Sequence, residues 1–137
     1  MSYLILDTDV ASYLYGNRPE AGKYEHRLRH AVPALTFTSV AELHYGARRN
    51  EWSERRITAL DDYLRRFLVL PFDADLPRLW ARLRAHAART GHPLAHRENS
   101  NDLWIAACAI HYEAPLLTGN VRHFLDVPGL EVLGADG

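Results

Sequence analysis

Short apolar runs alternate along this chain with longer segments whose apolar residues recur at helical spacing. The apolar runs predict strands over residues 3–6, 35–38, 68–70, 115–118 and 130–133. The helical spacing, with its start and stop residues, predicts helices over about 10–15, 19–31, 39–49, 51–67, 73–90 and 100–113. Strands that alternate with helices favour a parallel sheet covered on both faces. The pattern therefore predicts an α/β fold, a three-layer α/β/α sandwich with a mainly parallel sheet of about five strands.

Length and composition are those of an ordinary globular domain, with 137 residues, 47% hydrophobic and 24% charged. We expect one domain over 1–134 and a flexible tail over 135–137. The one cysteine, Cys108, excludes an internal disulfide. No apolar stretch approaches the ~20 residues that span a bilayer, and no basic region precedes the first apolar run. We therefore expect a cytoplasmic protein without membrane contact.

Three carboxylates lie at predicted strand-to-helix junctions. Asp7 ends the first apolar run, Glu42 follows the second run closely, and Asp102 opens the last long helix. If the strands are parallel neighbours, these acids meet at the carboxyl edge of one sheet, where open α/β sheets bind ligands. Such a cluster repels itself unless a cation neutralises it, and a hard divalent cation prefers oxygen ligands. The pattern therefore indicates a metal site.

A structural role is also open for each acid. Asp7 has the position of a helix cap, although Thr8 and Asp9 are available for that role. Glu42 is the third helical residue of a capping-box pattern. Asp102 lies where the positive end of a helix dipole favours a carboxylate. The two roles are compatible, because a helix start holds a carboxylate rigidly.

The basic residues are almost all arginine, since Lys23 is the one lysine among 16 lysines and arginines. Arginine forks bind phosphates and stack on bases. A solvated helix surface accounts for the same pattern, and charge alone does not establish an RNA-binding patch. Arg48 and Arg49 are the first candidates for RNA contact, because they end the helix that Glu42 begins.

Four segments, in this order and at this spacing, resemble the PIN-domain ribonucleases, and above all the VapC-like toxins of bacterial toxin–antitoxin pairs: 4–10, 39–47, 101–107 and 117–124. The resemblance covers essentially the whole chain. It implies a three-layer fold and an Mg²⁺- or Mn²⁺-dependent endoribonuclease that hydrolyses RNA phosphodiester bonds. It also implies a toxin role, a homodimer and a cognate antitoxin, and leaves the RNA sequence that is cut open.

By the same resemblance, Asp7, Glu42 and Asp102 are the catalytic residues and the metal ligands. Residues that support these ligands or contact the substrate would then be Thr8, Asp9, Thr118 and Asn120. Many PIN-domain members have a fourth acid in the segment after Thr118, where this chain has Asn120 and His123. The choice between one metal and two stays open.

Two other functions are consistent with parts of the sequence. Asn120 in place of an acid suits a catalytically weak PIN-like module that binds RNA or a partner protein. Asp7, Asp9 and Thr118 resemble the acids and threonine of a phosphoacceptor receiver domain, but a receiver also needs a lysine after its last strand. The only lysine here is Lys23, which makes the receiver a remote alternative.

Overall fold

Five parallel strands form the centre of the computed structural model, which describes residues 2–136. The strands are β1 Ser2–Leu6, β2 Ala31–Leu35, β3 Leu68–Val69, β4 Leu116–Leu117 and β5 Val132–Leu133. Their spatial order is β3-β2-β1-β4-β5, and each neighbouring pair is parallel. The predicted parallel sheet is confirmed.

Helices of very different length connect the strands. They are α1 Thr8–Tyr15, α2 Glu25–Leu28, α3 Phe37–Arg49, α4 Glu54–Leu64, α5 Leu76–Thr90, α6 Ser100–His111 and α7 Val121–Phe124. Short 3₁₀ turns cover Pro19–Tyr24, Pro93–Ala95 and Arg97–Asn99. Gly91 ends α5 in the left-handed conformation, with φ of 72°, as the sequence predicts for a glycine after a helix. Across residues 2–136, no helix is both long and apolar enough to cross a membrane.

The two faces of the sheet bury separate apolar clusters. Leu4 and Leu6 of β1 pack with residues of α1 and α4, whereas Ile5 between them packs with residues of α5 and α6. This alternation follows from the strand geometry, since successive side chains point to opposite faces. The three-layer α/β/α sandwich is therefore confirmed.

The helix predicted over residues 19–31 is wrong. The segment instead holds a 3₁₀ turn and the short α2, and β2 already begins at Ala31. Pro33 lies inside β2, opposite Leu4 of β1, rather than before the strand. Only the end of β2, Ala34 and Leu35, pairs with β3. On the side of β3, the strand is therefore unpaired at Pro33. No hydrogen bond of the sheet is lost there through the lack of an N–H group in proline.

The helix starts also differ from the predicted ones. Thr36 caps α3 and its hydroxyl accepts a hydrogen bond from Ser39 N at 3.2 Å, so α3 begins at Phe37. The capping box is wrong, because Glu42 lies in the second turn and not at the third helical position. At α1 the cap is Asp7 and neither of the residues that follow it.

The C-terminal segment is hydrogen-bonded to the 3₁₀–α2 region. Arg27 Nε donates to the Gly134 carbonyl at 3.0 Å, and its Nη2 donates to the Asp136 carbonyl at 2.8 Å. Ala135 packs against the apolar cluster on the α1 side of the sheet. The flexible tail over 135–137 and the boundary at 134 stay predictions, and Gly137 lies outside the described residues.

Candidate functional site

The order of the strands creates a crevice between β1 and β4. From β1 the chain adds β2 and β3 on one side, and then β4 and β5 on the other. Ligands of open α/β sheets bind at such a reversal, beyond the carboxyl ends of the strands. Asp7 follows β1 there and Thr118 follows β4, and Asp7 N donates to the Leu117 carbonyl at 2.8 Å. Both residues were candidates from the sequence.

Asp7 is a buried carboxylate, with only 7% of its surface exposed. Its Oδ1 accepts from Thr8 N at 2.8 Å, and its Oδ2 accepts from the Thr118 hydroxyl at 2.7 Å. Burial raises the pKa of Asp7 to about 7, the Thr118 bond opposes that rise, and the carboxylates of Asp9 and Asp102 add to it. The carboxylates of Asp7, Asp9 and Asp102 are therefore close enough to repel one another.

Asp9 joins the start of α1 to the segment after β4. Its Oδ1 accepts from Val10 N at 2.7 Å and its Oδ2 from Gly119 N at 3.2 Å. Burial raises the pKa of Asp9, the two backbone bonds lower it, and Asp102 raises it. Asp9 is therefore held in place by two backbone donors that come from opposite ends of the chain.

Gly119 is a site residue that the pattern of acids and predicted strands does not indicate. A Cβ at this position would lie 2.6 Å from Asp9 Oδ2 and 3.0 Å from the Tyr24 hydroxyl. Only glycine allows this approach of the backbone to the carboxylate. The one signal in the sequence is the glycine directly after Thr118, which lies within the last of the PIN-like segments.

Asp102 lies in the first turn of α6 and contacts His123 of α7. The His123 Nε2 and Asp102 Oδ2 atoms are 2.9 Å apart, and both side chains are largely shielded from solvent. Asn120 is exposed, and its backbone N donates to the Thr118 hydroxyl at 3.0 Å. Of the two residues that lie where the resemblance implies a fourth acid, His123 is thus the one in contact with Asp102.

Glu42 is connected to the acidic site by the hydroxyl group of Thr8. The Thr8 hydroxyl donates to Glu42 Oε1 at 2.6 Å and lies 2.9 Å from the Ser39 hydroxyl. Thr8 N in turn bonds to Asp7. Glu42 is therefore tied to the cap of α1, one residue away from the buried carboxylate.

The donor types at this edge suit a hard divalent cation, because they are carboxylate oxygens whose mutual repulsion a cation would relieve. Within residues 2–136, no three His, Cys, Asp or Glu side chains are already arranged to hold an ion. The carboxylates instead accept hydrogen bonds from Thr8, Thr118 and backbone amides. The assignment of Asp7, Glu42 and Asp102 as metal ligands stays a prediction.

The two candidate RNA-binding arginines have different surroundings. Arg48 forms an exposed ion pair with Glu54. Arg49 lies over the ring of Tyr45, 5.5 Å from its centroid, and lines a groove of about 440 Å³ that also includes Asp9 and Glu42. The groove connects Arg49, but not Arg48, to the acidic site.

A family model named PIN domain matches residues 4–130. The chain belongs to the PIN domain family. This membership excludes the receiver alternative. The strand order agrees, because the receiver-type order is 2-1-3-4-5 and the order here is 3-2-1-4-5.

A known VapC protein and known VapBC structures match almost the full length of the chain. The tRNA(fMet)-specific endonuclease VapC of Shigella flexneri is 28% identical, over 95% of this chain and 96% of its own. The crystal structure of DNA-bound VapBC from Salmonella typhimurium matches with a TM-score of 0.82 and 26% identity, over 98% of this chain and 99% of that one. The VapBC-5 structure from Mycobacterium tuberculosis, a member of the VapBC family of toxin–antitoxin systems, matches with a TM-score of 0.66 and 27% identity, over 98% and 99%.

Proposed function

We propose that this PIN-domain chain is an Mg²⁺- or Mn²⁺-dependent endoribonuclease. The observation that carries the proposal is the buried Asp7 at the crevice between β1 and β4, with the carboxylates of Asp9 and Asp102 near enough to raise its pKa. Buried anions without a cationic partner are costly. A site that tolerates this cost is typical of a protein that uses the carboxylates, here to hold a divalent cation.

The chemistry assigns a separate task to each part of the site. Asp7, Glu42 and Asp102 would hold the cation, which when bound polarises the phosphodiester and lowers the pKa of an attacking water. The Thr118 hydroxyl orients Asp7, and the Thr8 hydroxyl orients Glu42. The Gly119 amide orients Asp9 in the same way. No side-chain nucleophile is needed for hydrolysis at such a site.

We further propose that the chain acts as the toxin of a toxin–antitoxin pair, with a small antitoxin and a second copy of itself as partners. The support is similarity to a VapC endonuclease and to VapBC complexes over nearly the whole chain. RNA is the proposed substrate, because the endonuclease relative is named for a tRNA. Induced expression in a bacterial host should arrest growth, and Asp7→Asn should remove the arrest.

A catalytically weak PIN module that binds RNA or a partner is the second candidate. The observation in its favour is the contact between Asp102 and His123, which engages one candidate ligand with an imidazole. This module would bind RNA with little dependence on Mn²⁺ and would not cut it. Cleavage of RNA in the presence of Mn²⁺ separates the two candidates.

The test is cleavage of a 5′-labelled RNA with Mg²⁺, with Mn²⁺ and with EDTA. We expect cleavage with either metal, none with EDTA, and a loss of at least two orders of magnitude in Asp7→Asn, on the scale that single catalytic groups contribute. Asp62→Asn, an exposed acid of α4, is the matched control and should stay active. Cleavage that persists in Asp7→Asn, while both variants fold, would contradict the site assignment.

A further inference from the structure

A second groove, of about 620 Å³, adjoins the acidic site and shares no lining residue with the groove that holds Arg49. Thr118 and Gly119 form part of its lining, and these residues bond directly to Asp7 and Asp9. Its basic lining residues come from the 3₁₀–α2 region and from α7: Lys23, Arg27 and Arg122. This basic groove therefore lies next to the candidate catalytic centre, separated from Asp7 and Asp9 only by the residues that bond to them.

The C-terminal segment forms one wall of the basic groove. Gly134 lies so close to α7 that a Cβ there would be 2.8 Å from Val121 Cγ2. Arg27 holds the same wall through the Gly134 and Asp136 carbonyls. The wall at Gly134 is therefore in contact with both α7 and Arg27 of α2.

The positive charge of the groove is largely uncompensated. Lys23 and Arg122 are exposed, and neither forms an ion pair or side-chain hydrogen bond with any of residues 2–136. The guanidinium of Arg27 bonds to neutral carbonyls, which leave its charge in place. Asp136 is the one acidic residue among the described lining residues. The groove therefore favours a polyanion.

We propose that the basic groove binds the phosphates of the RNA strand next to the scissile phosphate. This inference rests on the proposed endoribonuclease function. The carboxylates of the acidic centre repel the RNA phosphates that flank the scissile phosphate, because the bound cation neutralises charge only at the scissile phosphate itself. Basic side chains directly beside the centre offset that repulsion, as in the positively charged grooves that follow single-stranded backbones. An acidic peptide is less well matched, because the groove adjoins the centre to which the proposed function assigns a phosphodiester.

The test measures binding of a fluorescein-labelled 12-nucleotide single-stranded RNA by anisotropy, in EDTA and at several salt concentrations. The variant is Lys23→Gln with Arg122→Gln, since both side chains are exposed. Each lost phosphate contact lowers the slope of log affinity against log salt by about 0.7. The double variant should lose about 1.4 in slope and bind roughly tenfold more weakly near physiological salt. Arg27 is left unchanged because it also holds the C-terminal wall.

The matched control is Arg55→Gln with Arg89→Gln, which removes two exposed charges outside both grooves. It should keep the affinity and slope of the unaltered protein, and all three proteins should melt at similar temperatures. Equal affinity and slope in the groove variant and the control would overturn the inference, as would displacement of the RNA by an equal charge concentration of polyglutamate. Failure of the proposed function would appear elsewhere, as RNA that the unaltered protein binds but does not cut with Mn²⁺.

Discussion

At the scale of single residues, Asp7 has the structural role of a helix cap, and its other carboxylate oxygen lies where the predicted metal-ligand role requires it. Its Oδ1 caps α1 through Thr8 N, while its Oδ2 lies against Thr118 in the acidic site. The cap holds the carboxylate in one orientation, which is what a metal ligand requires. A structural role at a helix start is therefore no argument against a chemical one.

Glu42→Gln separates charge from hydrogen bonding at the second candidate ligand. Glutamine keeps an oxygen that accepts from the Thr8 hydroxyl, so the free energy of unfolding should change by less than about 0.5 kcal/mol. Cleavage should fall by at least tenfold, because the negative charge is lost. Glu42→Ala is the comparison that also loses the bond. A fully active Gln variant would leave Glu42 as a structural partner of Thr8 alone.

His123→Glu tests which residue occupies the place where the resemblance implies a fourth acid. The imidazole of His123 contacts Asp102, so a carboxylate there should strengthen Mn²⁺ binding by roughly tenfold or more through its added charge. Asn120→Asp adds the same charge at an exposed position and should have a smaller effect. Calorimetric titration of Mn²⁺ without RNA is the measurement. Stronger binding in Asn120→Asp than in His123→Glu would show that Asn120 faces the metal.

At the scale of elements, the site depends on how closely the segment after β4 approaches the start of α1. Gly119→Ala would place a methyl group 2.6 Å from Asp9 Oδ2, so the carboxylate or the segment must move. Overpacking of this kind costs about 1–3 kcal/mol, and we expect cleavage to fall more than stability does. Gly22→Ala is the matched control, because a Cβ there meets nothing within 4 Å. Equal activity of the two variants would show that Asp9 need not hold its position.

At the scale of the whole molecule, the buried carboxylate makes the stability of the metal-free protein depend on pH. The pKa of Asp7 rises from 3.8 to about 7 on folding, so between these values the folded state binds more protons than the unfolded state. Stability from this group is therefore full below pH 4 and is lost as the pH rises through 7. The melting temperature of the unaltered protein in EDTA should fall over this range relative to that of Asp7→Asn.

Mn²⁺ should reverse this loss. A cation that binds the folded state alone stabilises it, by about 2.7 kcal/mol at a hundredfold excess over its Kd. Thermal unfolding at pH 7.5 with and without Mn²⁺ is the measurement. A similar rise in melting temperature in Asp7→Asn would place the bound metal away from Asp7.

Local patterns were enough to predict the fold class and to predict that Asp7 and Asp102 lie near the starts of helices. Apolar runs and helical spacing report which residues are buried on a strand or a helix face, and this determines the three layers. The predicted boundaries near β2 are wrong, because local propensity makes Pro33 a helix breaker and Thr36 a strand residue. Pairing with β1 and β3 decides where that strand begins and ends.

By itself, the sequence thus determined a parallel α/β fold with Asp7 and Asp102 near the starts of helices, and its resemblance to PIN domains indicated the family. Only the tertiary structure decided which groups meet there. The contacts of Asp7 with Thr118 and of Asp9 with Gly119 join residues more than a hundred positions apart. Such contacts depend on β4 lying beside β1, and no local pattern encodes strand order. The same reason applies to the basic groove, whose walls come from both ends of the chain.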